Sequence, residues 1–175
     1  DMRGASMPVT KHNYLVKDED EVPDTVQEAF YVSNTGRPGP VVVDMPKDVS
    51  KNDTDAVRSE LNIEGYSPNY EGHPGQIKKA AEAIEEADRP LIFAGGGVIM
   101  ADAADEVREL AIENDIPVTT SLQGLGAFPE DHELALQMLG MHGTGCANRA
   151  VTECDLLIGL GVRFSLRLCH RLRVG

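Results

Sequence analysis

No apolar stretch in this sequence approaches the roughly 20 residues that span a bilayer, which excludes a transmembrane helix. The opening, Asp1-Met2-Arg3-Gly4, supplies neither the basic nor the apolar region of a signal peptide. It also lacks an initiator Met, so the natural start is expected elsewhere. Basic residues are few: 16 Lys and Arg stand against 29 Asp and Glu, for a formal net charge of -13. That balance excludes non-specific nucleic-acid binding, which rests on neutralising phosphates, and it keeps a surface hydrated and self-repelling. It suits a salt-loving host and an ordinary acidic protein alike. Cysteine is scarce as well. Cys146, Cys154 and Cys169 have neither zinc-site nor CxxC spacing, and an odd number argues against a disulfide framework. Reduced thiols in a cytoplasmic protein are expected. No Ser/His/Asp or Cys/His constellation stands out, and no GxGxxG fingerprint is present.

What is present is an alternation of short apolar runs with charged, alanine-rich stretches, in a chain of 175 residues that can bury one core or one domain plus part of another. Residues 22–35 predict a helix, with Pro23 in its first turn and Val22, Val26, Ala29 and Phe30 on one face. Gly36-Arg37-Pro38-Gly39 stops it. Pro40 to Met45 reads as a strand buried on both faces, ended by Pro46. Lys11-His12 is either a buried pair or an exposed strand start. From about Lys47 to His73 periodicity vanishes, and residues 51–73 read as a linker.

Residues 74–87 predict a second helix with Ile77, Ala80, Ala81 and Ile84 buried. Pro90 to Ala94 is a strand, Gly95-Gly96-Gly97 a turn, 101–114 a helix through Val107, Leu110 and Ala111, and Ile116 to Thr120 a strand. A loop over 121–134, a short helix over 144–153 and a strand from Asp155 to Leu160 follow. The expected fold is α/β, a parallel sheet with helices on both faces. Residues 165–175 break the pattern as a basic tail that holds Arg167, Arg171 and Arg173 and no acidic residue; a frameshift or misplaced end would produce one.

Ligands of open parallel sheets bind beyond the carboxyl ends of the strands. Three segments fall there: Gly95-Gly96-Gly97, Ser121-Leu122-Gln123-Gly124 and Gly161-Val162-Arg163-Phe164. Glycine admits close backbone approach, backbone N–H groups donate to phosphate, and an Arg can hold a pyrophosphate through paired bonds. Each is an ordinary turn or a ligand contact; three together point to a nucleotide-type ligand. His142 is a ligand contact or a loop histidine, and the EDHE run at 130–133 reads as solvated.

Four segments in order carry a resemblance: TKHNYLV at 10–16, GRPGPVVVDMPKDV at 36–49, GLGAFPEDHELALQMLGMHGT at 124–144 and DLLIGLGVRF at 155–164. The chain up to Phe164 resembles an internal piece of the acetolactate synthase large catalytic subunit. GRPGPV with PKDV is common to many thiamine-diphosphate enzymes; TKHNYLV and LGMHGT are narrower. The resemblance implies that residues 1–50 end a pyrimidine-binding domain and 74–164 begin a Rossmann-like central FAD-binding domain. It implies condensation of two 2-ketoacids, pyruvate and 2-ketobutyrate among them, with loss of carbon dioxide, in valine, leucine and isoleucine biosynthesis. Thiamine diphosphate and Mg2+ act in the full-length subunit, and FAD has a structural part. A homodimer or homotetramer, with a small regulatory subunit, is the implied assembly.

By position, FAD contacts would be Arg37, Gly96, Ser121, Leu122, Leu139, Gly140, Met141, His142, Gly161, Val162, Arg163 and Phe164. Lys11 and Lys47 match lysines of the family's substrate channel. Ser121 replaces a frequent Thr and keeps the hydroxyl. After Phe164 the family has two Asp and an Arg where this chain has Ser165-Leu166-Arg167. The Glu that activates thiamine and the Gly-Asp-Gly…Asn metal motif are absent, so these residues hold no catalytic group or metal ligand and are expected to be inactive alone. The alternatives are a sister thiamine-diphosphate enzyme (glyoxylate carboligase or an oxidase), a non-catalytic nucleotide-binding module, and a decayed reading frame.

Overall fold

Parallel strands form in two separate places along the chain. The computed structural model describes residues 2–164, and the chain divides into two units, Asp1–Gly72 and His73–Gly175. Residues 165–175, the basic tail, lie outside the described residues.

In the first unit, helix α1 (Met2–Ser6) and a 3-10 turn precede strand β1 (His12–Leu15). Helix α2 (Val22–Asn34) then leads to strand β2 (Val41–Asp44). The strands pair in parallel, His12 opposite Val41 and Tyr14 opposite Val43, and Lys11 N–H to Pro40 O and Val16 N–H to Asp44 O extend the ladder at both ends. His12 is the exposed start of its strand. Asp18 accepts from Asp20 N–H just ahead of the helix, Pro23 occupies its first turn and Gly36, at φ 56°, turns the chain out of it.

Two expectations change here. Val41–Asp44 is half-buried rather than enclosed, because β1 is its one strand neighbour among the described residues. On α2 the buried residues are Ala29 and Val32, while Val26 is exposed and Phe30 is 67% exposed. Both border an open groove closed on its other side by Ala56, Val57 and Arg58 of the stretch read as a linker. That stretch has no strand or helix after the 3-10 turn Val49–Lys51, yet it is tied along α2. Ser59 N–H and Oγ donate to Asp24, Asn52 donates to Glu19 at 3.0 Å, and Thr54 bonds Asp20.

The second unit is a four-stranded parallel sheet in the order β5-β4-β3-β6. Helix α3 (Pro74–Glu86) precedes β3 (Pro90–Ala94). Helix α4 (Gly96–Met100) and helix α5 (Ala104–Glu113) lead to β4 (Val118–Thr120). Strand β5 (Ala135–Met138), helix α6 (Gly145–Glu153) and strand β6 (Leu156–Leu160) complete it. The run PLIFA is central: Leu91, Ile92, Phe93 and Ala94 are buried, as a strand with parallel neighbours on both sides requires. Ile92, Ala94, Val98, Val107, Ala111, Ile116, Val118, Ala127 and Phe128 form the core. Period-two alternation puts Phe93 on the opposite face of β3, where the Phe164 ring lies 6.5 Å away.

The GGG segment is not only a turn: Gly96 and Gly97 open α4, and a corner at Asp102 (φ 54°) delays α5 to Ala104. Strand β4 starts at Val118 because Ile116 N–H bonds back to Ala111 O. Of the stripe expected on α3, only Ile84 packs against the core; Ile77 is 59% exposed, and Ala80 and Ala81 are exposed as well. The helix meets the sheet at its last turn alone. Strand β5 was not expected. It pairs with β4 across a register shift at Val118/Thr119. Asp155, at the head of β6, accepts from Asp88 N–H and Arg89 N–H at 2.9 Å each and pins the chain entering β3. Burial pushes its carboxyl up, but the N–H groups of Arg89, Asp88 and Asp155 itself, with the Arg89 charge, together outweigh that and hold it below the usual carboxylate range.

Candidate functional site

The strand order reverses at β3, with β4 on one side and β6 on the other, and the chain leaving each of these strands meets its neighbour at the carboxyl edge. Gly95 N–H donates to Leu160 O at 2.8 Å and Gly97 N–H to Gly161 O at 2.9 Å. Ser121 N–H donates to Ala94 O at 2.9 Å and Leu139 N–H to Thr120 O at 3.0 Å. The four strand ends are thereby joined by backbone bonds into one ledge. Gly161 has φ 59°, and a Cβ there would lie 2.5 Å from Val98 N. Neither the conformation nor the space admits another residue cheaply.

The loop over Leu139–His142 is tied at its base and free at its tip. Thr144 Oγ1 accepts from Ala147 N–H at 3.1 Å, capping α6, and donates to Leu136 O at 2.6 Å. Asn148 donates to Gly140 O and Thr144 O at 2.9 Å each and accepts from Gly140 N–H at 3.2 Å. A Cβ at Gly143 would lie 2.1 Å from Met138 O, so the bend needs glycine. Met141 is left 90% exposed with His142 exposed beside it. Thr144 and Asn148 were missed by sequence reasoning. The available signal was a Thr at the first position of the expected helix over 144–153, which caps it from one residue ahead, with an Asn one turn on.

Most of the residues singled out from the sequence therefore share this edge: Gly96, Ser121, Leu122, Leu139–His142 and Gly161–Phe164. Its surface is unusual for loops. Leu122 is 66% exposed and Phe164 55%, so with Met141 three large apolar side chains of this edge are exposed, as is Arg163. A Cβ at Gly140 would meet nothing within 4 Å. At the end of β4, Thr120 Oγ1 is buried without a partner. Exposed apolar side chains on one loop edge mark a candidate binding surface. Among the described residues no group of His, Cys, Asp and Glu is placed to hold a metal. No described helix is long and apolar enough to cross a membrane. Cys146 and Cys154 are free thiols.

Arg37, Lys11 and Lys47 belong to the first unit. Arg37 is exposed on the turn after α2, and Lys47 is exposed after β2. Lys11 is occupied: its ammonium donates to Val32 O at 2.5 Å, Thr35 O at 2.6 Å and Tyr66 Oη at 3.0 Å. The hydrogen bond from the Lys11 ammonium, together with the bond to Thr35, holds the Tyr66 phenol below its ordinary pKa. Tyr14 is the reverse case, pushed up to about 12 by burial and by the neighbouring Glu28 carboxylate.

The fold defines an open parallel α/β domain, the class in which ligands bind beyond the carboxyl ends of the strands. Residues 77–172 match the family model described as thiamine pyrophosphate enzyme, central domain. The chain belongs to that family. It is 51% identical to the probable acetolactate synthase large subunit of Methanocaldococcus jannaschii over 99% of its length. It is 48% identical to the acetolactate synthase large subunit of Corynebacterium glutamicum over 96%, and 44% identical to that of Buchnera aphidicola subsp. Acyrthosiphon pisum over 98%. It spans 27% to 31% of the length of these relatives. The X-ray structure of a Mycobacterium smegmatis protein described as thiamin diphosphate-dependent superposes with a TM-score of 0.74 at 26% identity, covering 91% of this chain and 30% of that one. The family match runs to residue 172, past the start of the basic tail.

Proposed function

We propose that this chain is the FAD-holding part of an acetolactate synthase large subunit, which condenses two 2-ketoacids with loss of carbon dioxide. The observation that carries this reading is identity of 44% to 51% over almost the whole chain with proteins named for that activity. The ledge of strand ends supports it in kind. Arg163 would hold the FAD pyrophosphate by charge-assisted bonds, and Arg37, in the first unit, is proposed as an FAD contact from its place in GRPGP. Gly140, where a Cβ would meet nothing within 4 Å, would let the cofactor approach the backbone, and Gly96 would contact it away from the side filled by Gln123. Ser121 would donate its hydroxyl, and Leu122, Met141 and Phe164 would keep water from the ring system.

Thiamine diphosphate with Mg2+ would supply the nucleophilic carbon of the reaction when bound. The activating Glu and the metal motif lie outside these 175 residues. Pyruvate and 2-ketobutyrate are the proposed substrates, the branched-chain amino acids the end products, and the cytoplasm the compartment. The proposed assembly is a homodimer or homotetramer with a small regulatory subunit.

Two measurements test the reading. The 175-residue polypeptide alone, given pyruvate, thiamine diphosphate, Mg2+ and FAD, should form no acetolactate, and a full-length subunit carrying this sequence should form it; a silent full-length protein overturns the proposal. In that full-length protein Arg37→Ala should weaken FAD binding by about 10- to 100-fold, the loss of one charge-assisted bond of roughly 1.5–3 kcal/mol. Unchanged affinity removes Arg37 from the site.

A further inference from the structure

Tyr66 and Tyr70 lie in the irregular stretch after β2, yet both reach the turn that carries Arg37. Chemistry sets the donor directions there. A lysine ammonium only donates, so Tyr66 Oη accepts from Lys11 Nζ at 3.0 Å. Thr35 Oγ1 gives its one proton to Tyr31 O at 2.6 Å, so it accepts from Tyr66, whose own proton is shared between Thr35 Oγ1 at 2.9 Å and Thr35 O at 3.2 Å. The relay runs from Lys11 through Tyr66 and Thr35 to Tyr31 O without a reversal, the arrangement in which hydrogen bonds strengthen one another. The other two donors of Lys11 satisfy Val32 O and Thr35 O, carbonyls at the open end of α2. One residue on, Gly36 N–H donates to Tyr70 Oη at 3.2 Å. A Cβ on Gly36 would lie 3.5 Å from Tyr66 Oη and 3.8 Å from Pro68 Cβ. The residue before Arg37 is therefore in contact with the 66–70 segment on one side, and Arg37 itself is exposed.

We propose that Tyr66, with Lys11 and Tyr70, positions Arg37: the clasp holds the turn in one conformation so that the guanidinium meets its anionic ligand already oriented. This rests on the reading that Arg37 binds the FAD pyrophosphate. A turn flanked by two glycines would otherwise lose backbone freedom on binding, and ordering it beforehand removes that cost. The clasp gives Lys11 and the stretch read as a linker a role in cofactor affinity that neither has by touching the cofactor.

The test is a double-mutant cycle in the full-length enzyme, with FAD affinity read by flavin fluorescence and backbone mobility by amide hydrogen exchange over residues 35–39. Tyr66→Phe should weaken FAD by about 3- to 10-fold, the worth of one hydrogen bond, and speed exchange of the Gly36 amide in the FAD-free protein. Combined with Arg37→Ala it should add nothing further, because the two act as a unit. Full additivity overturns the proposal, since Tyr66 would then act on the fold and not through Arg37. Wild-type affinity and exchange in Tyr66→Phe, beside a weakened Arg37→Ala, overturn this proposal alone. Unchanged affinity in Arg37→Ala overturns it together with the FAD reading. If Tyr66→Phe does not fold, Tyr70→Phe keeps the relay and breaks only the bond to Gly36, and the same outcomes apply with a smaller loss.

Discussion

In the unit from His73 onward, the central strand buries four of its five residues and the strand ends are locked backbone against backbone. In the unit up to Gly72, two strands pair along a half-buried edge, and much of the order comes from side-chain bonds that lace an irregular stretch to α2. The contrast teaches what each kind of order is good for. Apolar burial is non-directional and pins a sheet firmly, which suits a ledge that must hold four loops in register. Polar clasps are directional and individually weak, which suits a turn whose orientation matters.

The comparison can be broken most severely in the second unit. Phe93→Ala removes a fully buried ring and should destabilise by about 3–5 kcal/mol; denaturant unfolding of the full-length protein, with hydrogen exchange assigned by unit, measures it. If protection falls by less in the second unit than in the first, the apolar account of that sheet is wrong. Gly161→Ala tests the backbone lock. With a positive φ and Val98 N 2.5 Å from the new Cβ, it should cost about 1–3 kcal/mol and loosen exchange in α4 and β6 together.

A subtler separation is by pH. The folded state keeps Tyr14 protonated, so its contribution is complete below pH 10 and is lost as pH rises toward about 12. Asp155 is the opposite case: a depressed folded pKa gives stability that is complete above the ordinary carboxylate pKa and lost as pH falls through the folded value. Alkaline pH should loosen the first unit and acid the second. Tyr14→Phe should flatten the first limb and Asp155→Asn the second; one variant flattening both would remove the distinction. The smallest effect belongs to Ile77→Ser, on the exposed part of α3, which should change stability by no more than about 0.5 kcal/mol. A thermal shift of several degrees would show that this stripe is covered in the full-length protein.

Much of this was legible beforehand where local chemistry decides. PLIFA and DLLIGL are apolar runs that form strands wherever a sheet receives them, Pro23 and Gly36 punctuate α2, and the glycine-rich segments marked the strand ends. Strand β5 was not legible. ALQM carries no β-branched residue, and Gln137 takes a positive φ of 63° that only pairing with β4 sustains. The anchors Thr144 and Asn148 were equally hidden, because what they hold is the backbone of residues up to eight positions away.

The sequence by itself determined the family, the α/β alternation and the identity of the segments at the carboxyl edge, since each follows from residues close together in the chain. Only the tertiary structure decided which apolar faces are covered, that Val26 and Phe30 border the 56–58 segment instead of a core, and that Lys11, Thr35 and Tyr66 form one relay. Those outcomes join residues as many as 55 positions apart, and no periodicity encodes a hydrogen bond at that separation; folding brings the donor to its acceptor.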